Sequence, residues 1–211
     1  MTSTSSAVDP AVLTWLVCHA RDGRLVGGEL DRRSVVAALV CAVVADADVA
    51  PGGVVRLGLG TGEGLARDAY AAVARVCRPD AGGPTVVEAA WPASRGAGER
   101  AVAAGLARRA RGVLGRRPVP FPAARDAAVA RLRAVALGAD AGAGERAALM
   151  GLVATGSVVG ALSAGALPQA FLADAAAERL GERGLAVARC VGGWLPSGLS
   201  SSGVTLVGVG A

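Results

Sequence analysis

Apolar positions recur along this chain mainly at helical spacing, broken by short glycine- and proline-marked joints. Residues 11 to 19 (AVLTWLVCH) form a short, strand-like apolar run, which Arg21-Asp22-Gly23-Arg24 breaks with an Asp-Gly turn signal. From Leu30 to Ala47 the pattern LDRRSVVAALVCAVVADA predicts a helix, with Asp31 as a candidate cap, and Pro51-Gly52-Gly53 closes it. Val54 to Leu59 predicts a short strand, Thr61 to Gly64 a loop, and Leu65 to Val76 a helix. Pro79 to Pro84 reads as a linker and Val86 to Trp91 as a short apolar stretch. Arg100 to Leu114 reads as an arginine-studded helix, followed by a stiff extended joint over Pro118-Val119-Pro120-Phe121-Pro122. Three further helices are predicted over Ala123–Leu137, Arg146–Leu167 and Phe171–Val187. Residues 1–10 read as a flexible polar tail, 11–190 as one domain and 191–211 as a Gly/Ser-rich tail. The expected fold class is mainly α: a helical, bundle-like single domain with short β segments.

One stretch needs a membrane test. No charge lies between Arg146 and Asp174, a length sufficient to cross a bilayer. Its sequence, ALMGLVATGSVVGALSAGAL, is built largely from Gly, Ala, Ser and Thr, which contribute little transfer energy, so a buried core helix is the preferred reading.

Composition narrows the chemistry. Hydrophobic residues are 53% of 211 and charged residues 18%, which excludes a disordered chain. Aromatics are 3%, too few for a module that stacks on bases, so nucleic acid is not an expected partner. The start lacks a basic segment followed by an apolar run, and the expected location is cytoplasmic, with peripheral membrane association. Cysteines fall at 18, 41, 77 and 190 with no CxxC pair, and His19 is the one histidine. Structural zinc needs four closely spaced ligands, so no metal site is expected and the thiols read as reduced and buried. His19 follows Cys18 directly, and neighbouring side chains point apart, so the pair makes no catalytic dyad and His19 reads as structural. Asp46, Asp48, Glu178 and Glu182 read as solvated, and no carboxylate pair suggests acid–base catalysis.

A glycine loop offers an enzymatic alternative. VVRLGLGTGEG (54–64) resembles the strand-then-loop of methyltransferases that bind S-adenosylmethionine, with Val86-Val87-Glu88 supplying an acid on a second strand. Arg56 stands where that family carries an acid, and the rest of the chain lacks the further strands of such a fold. No cofactor is expected on the leading reading.

Charge is the more informative signal. All 22 basic residues are arginines, and the net charge is +5. Residues 95 to 133 hold ten of them (95, 100, 108, 109, 111, 116, 117, 125, 131, 133) against Glu99 and Asp126. Guanidinium forks bind phosphate bidentately, and basic clusters draw proteins to anionic lipid. The competing reading is a solvated face with scattered salt bridges.

The order of segments resembles the Golgi phosphoprotein 3-like family over about residues 12–165. Arg24 closes a start of the form L-L-x-x-x-D-x-x-G-R, and Thr61-Gly62-Glu63 stands for the family's T-G-D. Arg131-Leu132-Arg133 with Gly138, then Arg146, Leu149 and Leu152, stand for its R-L-R-x-x-x-x-G and R-x-x-x-L-x-x-L. The resemblance implies a mostly helical, non-enzymatic peripheral adaptor that binds phosphatidylinositol 4-phosphate, with protein partners or self-association. The positions of that family's head-group Trp and helical Arg hold Gly28 and Ala37, and its later basic pair falls near Gly98 and Ala101. The family's apolar membrane hairpin is shortened to about Gly115–Phe121. A substitute phosphate patch of Arg24, Arg32, Arg33, Arg100, Arg108 and Arg109 is therefore expected. A scaffold that has lost lipid binding is the third reading.

Overall fold

A computed structural model describes residues 9–19, 30–44, 48–49, 55–56, 83–112, 115–163 and 169–196. The described elements are α1 (Pro10–Val17), α2 (Leu30–Val44), β1 (Asp48–Val49), β2 (Val55–Arg56), α3 (Gly83–Arg95), α4 (Ala97–Ala103), β3 (Ala107–Gly112), β4 (Gly115–Pro120), α5 (Pro122–Ala136), α6 (Ala143–Ala154), α7 (Val158–Leu162) and α8 (Gln169–Trp194). The mainly α expectation holds. The strands form two small antiparallel pairs, β1 with β2 and β3 with β4. The predicted Leu65–Val76 helix, the Gly58–Gly64 loop, Arg24, Gly28 and Cys77 lie outside the described residues.

The apolar start is a helix, not a strand. Asp9 caps α1: its Oδ1 accepts from the backbone N–H of Ala11 (2.9 Å) and Val12 (3.3 Å). Pro10 at the first turn costs no hydrogen bond there. The Leu30–Ala47 expectation is met by α2 over Leu30–Val44, with Asp31 inside the helix and not its cap; residues 45–47 lie outside the described residues.

The uncharged run 147–162 is explained by position. α6 lies between two apolar clusters. Ala147 and Met150 join the core formed with α2, α3 and α8. Ala148, Leu149 and Leu152 join the core formed with α1, α5 and α7. A helix covered on both sides has no face on which to carry charge. No described helix is long and apolar enough to cross a membrane. The single helix expected over Arg146–Leu167 is broken in two. Gly156 takes φ +67°, the Ser157 N–H bonds Leu152 O (2.8 Å), and the Gly156 N–H bonds Val153 O (3.1 Å). This paired ending satisfies the last carbonyls of α6 and stops it.

α2 and α6 cross at backbone contact. A Cβ on Gly151 would lie 2.5 Å from Ala38 N and 2.7 Å from Ala38 Cα. Beside this crossing Ser34 Oγ meets Thr155 Oγ1 (2.8 Å) and Ser157 Oγ (3.0 Å), joining the start of α2 to the turn after α6. The core reaches past 190: Val191 and Leu195 are buried, so residues 191–195 belong to it and not to the tail expected from 191.

α5 and α6 are tied by a bidentate ion pair. Arg131 Nε and Nη2 donate to Glu145 Oε1 (2.6 Å) and Oε2 (2.8 Å), and Glu145 Oε2 also accepts from the Gly142 N–H (3.0 Å). The Arg131 hydrogen bonds hold the Glu145 carboxyl below the usual carboxylate range, against the opposing effect of burial, with the Gly142 N–H adding to the lowering. The stabilisation is complete above the ordinary carboxylate pKa and is lost as pH falls through the lowered native value. Urea denaturation of wild type and Glu145→Gln is expected to show a stability gap at pH 7 that closes at strongly acid pH. A gap that stays constant would assign the effect to packing instead.

Two further expectations are corrected. Val86–Trp91, read as a short apolar stretch with Val86–Glu88 on a strand, belongs to α3. Val86, Val87 and Ala90 are buried at helical spacing, and Glu88 is exposed. The arginine-studded helix over Arg100–Leu114 is also not formed. α4 ends at Ala103 because Gly105 adopts φ +71° and the Leu106 N–H bonds Ala101 O (2.9 Å). The following residues are strand β3.

Candidate functional site

Strands β3 and β4 make a hairpin that carries five of the arginines. Ala107 pairs with Pro120, Arg108 with Val119, Arg109 with Pro118, Ala110 with Arg117, Arg111 with Arg116, and Gly112 with Gly115. The extended joint expected over 118–122 is thus the second strand and its exit. Pro118 and Pro120 lie two apart on an edge strand, where a missing N–H faces outward without loss to the ladder.

Side chains alternate between the two faces of such a ribbon. One face carries Ala107 and Pro120 at its buried foot, then Pro118, Arg109, Arg111 and Arg116 toward the tip. The other carries Arg108, Ala110, Arg117 and Val119. All five arginines are exposed.

The foot is anchored to the helices. A Cβ on Gly98 would lie 3.0 Å from Pro118 Cβ and 3.2 Å from Trp15 Cζ2, so α4, β4 and α1 meet without a spare methyl's width. The Phe121 N–H bonds Leu106 O (3.0 Å) and closes the hairpin's base, while the Phe121 ring stays 40% exposed.

The arginines divide by task. Arg100 is committed to structure: its Nε donates to Asp9 Oδ2 (2.7 Å) and its Nη1 to Ala93 O (3.0 Å). Arg125 likewise donates from Nε to the His19 carbonyl and from Nη1 to Asp126 Oδ1 (3.1 Å). Arg109 pairs with Glu99 at 2.7 Å, but these side chains are 58% and 51% exposed, so the pair is weak and readily exchanged. Among the described residues Arg108, Arg111, Arg116 and Arg117 form no ion pair. Arg111 and Arg116 stand directly opposite each other, a like-charge juxtaposition that destabilises the ribbon unless an anion relieves it.

Of the six sequence-predicted residues, the structure brings Arg100, Arg108 and Arg109 to the α4–hairpin region and leaves Arg100 occupied. Arg32 and Arg33 lie at the start of α2, beside the α6–α7 turn to which the neighbouring Ser34 bonds. Arg32 is exposed, and Arg33 is half-buried with its Nε enclosed and unpartnered. Arg24 lies outside the described residues. Arg111, Arg116 and Arg117 are absent from the expected patch, because the sequence reading sets Arg111 on a helix ending at Leu114 and Arg116 and Arg117 beyond it, so their pairing across two strands is not visible. The signal available was the pair of prolines at 118 and 120, which favours a strand edge over a helix.

His19 is structural in the described fold. Its Nδ1 lies 2.7 Å from Trp15 O, and a carbonyl only accepts, so Nδ1 carries the proton. Burial pushes its pKa below the ordinary value, and the Arg117 and Arg125 charges push the same way against the Trp15 bond. It is therefore neutral at pH 7. Cys18 and Cys41 are buried, and burial raises the Cys41 thiol far above the ordinary range, which makes it unreactive. Among the described residues no group of three or more His, Cys, Asp or Glu is placed to hold a metal ion. Glu178 and Glu182 are exposed as expected. Glu88, the acid invoked for a methyltransferase site, sits on the outside of α3, and β2, which precedes the glycine loop, pairs antiparallel with β1.

No family model matches this chain, nor does any curated protein or solved structure.

Proposed function

We propose that this protein binds anionic membrane surfaces peripherally, as a non-enzymatic adaptor, through the arginine hairpin. The observation that carries the reading is a two-stranded ribbon with five exposed arginines, four of them without a carboxylate partner among the described residues. Each basic residue held near an anionic leaflet contributes about 1 kcal/mol, so a cluster of this size suffices for reversible adsorption. The exposed Phe121 ring at the hairpin's foot supplies the apolar contact that turns adsorption into shallow anchoring.

The resemblance to the Golgi phosphoprotein 3-like family supports phosphoinositide head groups, of the phosphatidylinositol 4-phosphate type, as the class bound. The site itself differs from that family's. The α2 position of its arginine is Ala37, which is fully buried, so a guanidinium there would face the core. The hairpin arginines take over the electrostatic role.

The test is co-sedimentation with neutral, generally anionic and phosphoinositide-doped vesicles. Raising salt from about 0.1 M to about 1 M shortens the Debye length from roughly 10 Å to roughly 3 Å. Binding to the anionic vesicles that fades with salt, with neutral vesicles left unbound, is the expected result. Equal binding to neutral vesicles, or none to any, would overturn the reading.

A further inference from the structure

We infer that Arg111 and Arg116, with Arg109 on the same face, form a clamp selective for a phosphate monoester over a phosphate diester. This deepens the membrane reading and rests on the hairpin being the surface that meets the bilayer.

The geometry is that of an opposed pair. The register sets Arg111 against Arg116 on adjacent strands, and directly opposed side chains start about 4.5–5.5 Å apart at Cβ. Arg109 follows Arg111 at two residues along the same face, roughly 7 Å away. Neither Arg111 nor Arg116 has an ion-pair partner among the described residues. Glu99, the carboxylate paired on this face, is taken by Arg109 in an exposed contact. On the opposite face no two arginines stand directly opposed, and Arg108 and Arg117 are only diagonal neighbours. There Arg108 faces Val119 and Arg117 faces Ala110, so each guanidinium stands across from an apolar residue.

Two guanidinium forks that can reach one ligand from opposed positions select it by oxygen count and charge. A phosphate monoester carries between about −1.5 and −2 at neutral pH and three terminal oxygens, so it accepts both forks together. A diester carries one charge and two terminal oxygens, which one fork saturates. The monoester also relieves the repulsion between the opposed arginines fully, and the diester only in part. The ligand class is therefore a terminal phosphate group, as on a phosphorylated lipid head.

The experiment compares vesicles of phosphatidic acid (a monoester) with vesicles of phosphatidylserine (a diester), each in phosphatidylcholine and matched in zeta potential. Three proteins are used: wild type, Arg111→Gln/Arg116→Gln, and Arg108→Gln/Arg117→Gln. The two variants lose the same net charge from exposed positions of one hairpin, and circular dichroism checks that both remain folded. The readout is the ratio of affinities for the two vesicle types. Wild type is expected to prefer the monoester by about tenfold, the scale of one added charge-assisted fork. Arg111→Gln/Arg116→Gln brings that ratio to one, and Arg108→Gln/Arg117→Gln keeps it. Soluble glycerol 3-phosphate is expected to compete at matched ionic strength, since the clamp reads the phosphate group itself. A wild-type ratio of one, the same ratio in both variants, or no competition by glycerol 3-phosphate would overturn the clamp. In those cases salt-sensitive binding to both vesicle types would leave the general membrane reading standing. Failure to bind either vesicle would remove both.

Discussion

Gly151→Ala is expected to cost about 3 kcal/mol, near the upper end for overpacking a core, and at this chain length that lowers Tm by roughly 10 °C. The added methyl would enter at 2.5 Å from Ala38 N and 2.7 Å from Ala38 Cα. Those are backbone atoms of α2, so no side-chain rotation makes room and the two helices must separate. Separation disturbs both apolar clusters, because α6 contributes Met150 to one and Leu149 and Leu152 to the other. Gly160→Ala is the matched control. A Cβ there meets nothing within 4 Å, and Ala is the better helix former, so this variant is expected to be neutral or slightly more stable. Thermal unfolding followed by circular dichroism separates the two. Equal melting temperatures would show that the α2–α6 crossing yields easily, and the account of the core would be wrong.

Reversing charge at Arg108 and Arg109 is expected to weaken binding to anionic vesicles by about 3 kcal/mol, roughly a hundredfold. Two attractive charges near the surface become two repulsive ones, one of them already partly neutralised by Glu99. Both side chains are exposed, so Arg108→Glu/Arg109→Glu should unfold at the wild-type temperature. Arg146→Glu/Arg189→Glu changes the net charge equally from exposed positions on α6 and α8. Its binding should fall far less at physiological salt, where screening acts over about 8 Å. Equal losses in the two variants would mean that net charge governs adsorption and that the hairpin has no privileged role.

Much of the helical frame was legible in the chain. The span of α2, to within a turn, follows from apolar spacing, and the bounds of α5 follow also from Pro122 at its start and Gly138 just past its end, which are local, short-range effects. The absence of charge from 147 to 173 was legible too, and within the described residues 147–162 so was its reading as core rather than membrane span. Which helices would cover that run was not, because two-sided burial depends on α1, α2, α5 and α8 arriving from distant parts of the sequence. The break at Gly156 was written as Thr-Gly-Ser, yet its effect depends on a left-handed backbone that spacing alone does not report.

The arginine band shows the division most clearly. The sequence by itself determined that positive charge would be concentrated between residues 95 and 133. Tertiary structure decided which arginines remain available. Arg100 is drawn inward because the Asp9 cap and the Ala93 carbonyl close on it across 91 and 7 residues of chain. Arg111 and Arg116 are set opposite each other because a glycine ends α4 and two prolines favour an outward-facing edge, so Arg- and Ala-rich residues with good helix propensity form a ribbon instead. Propensity and charge act over a few residues and are visible locally. Register and ion pairing join residues far apart, and only the folded chain fixes them.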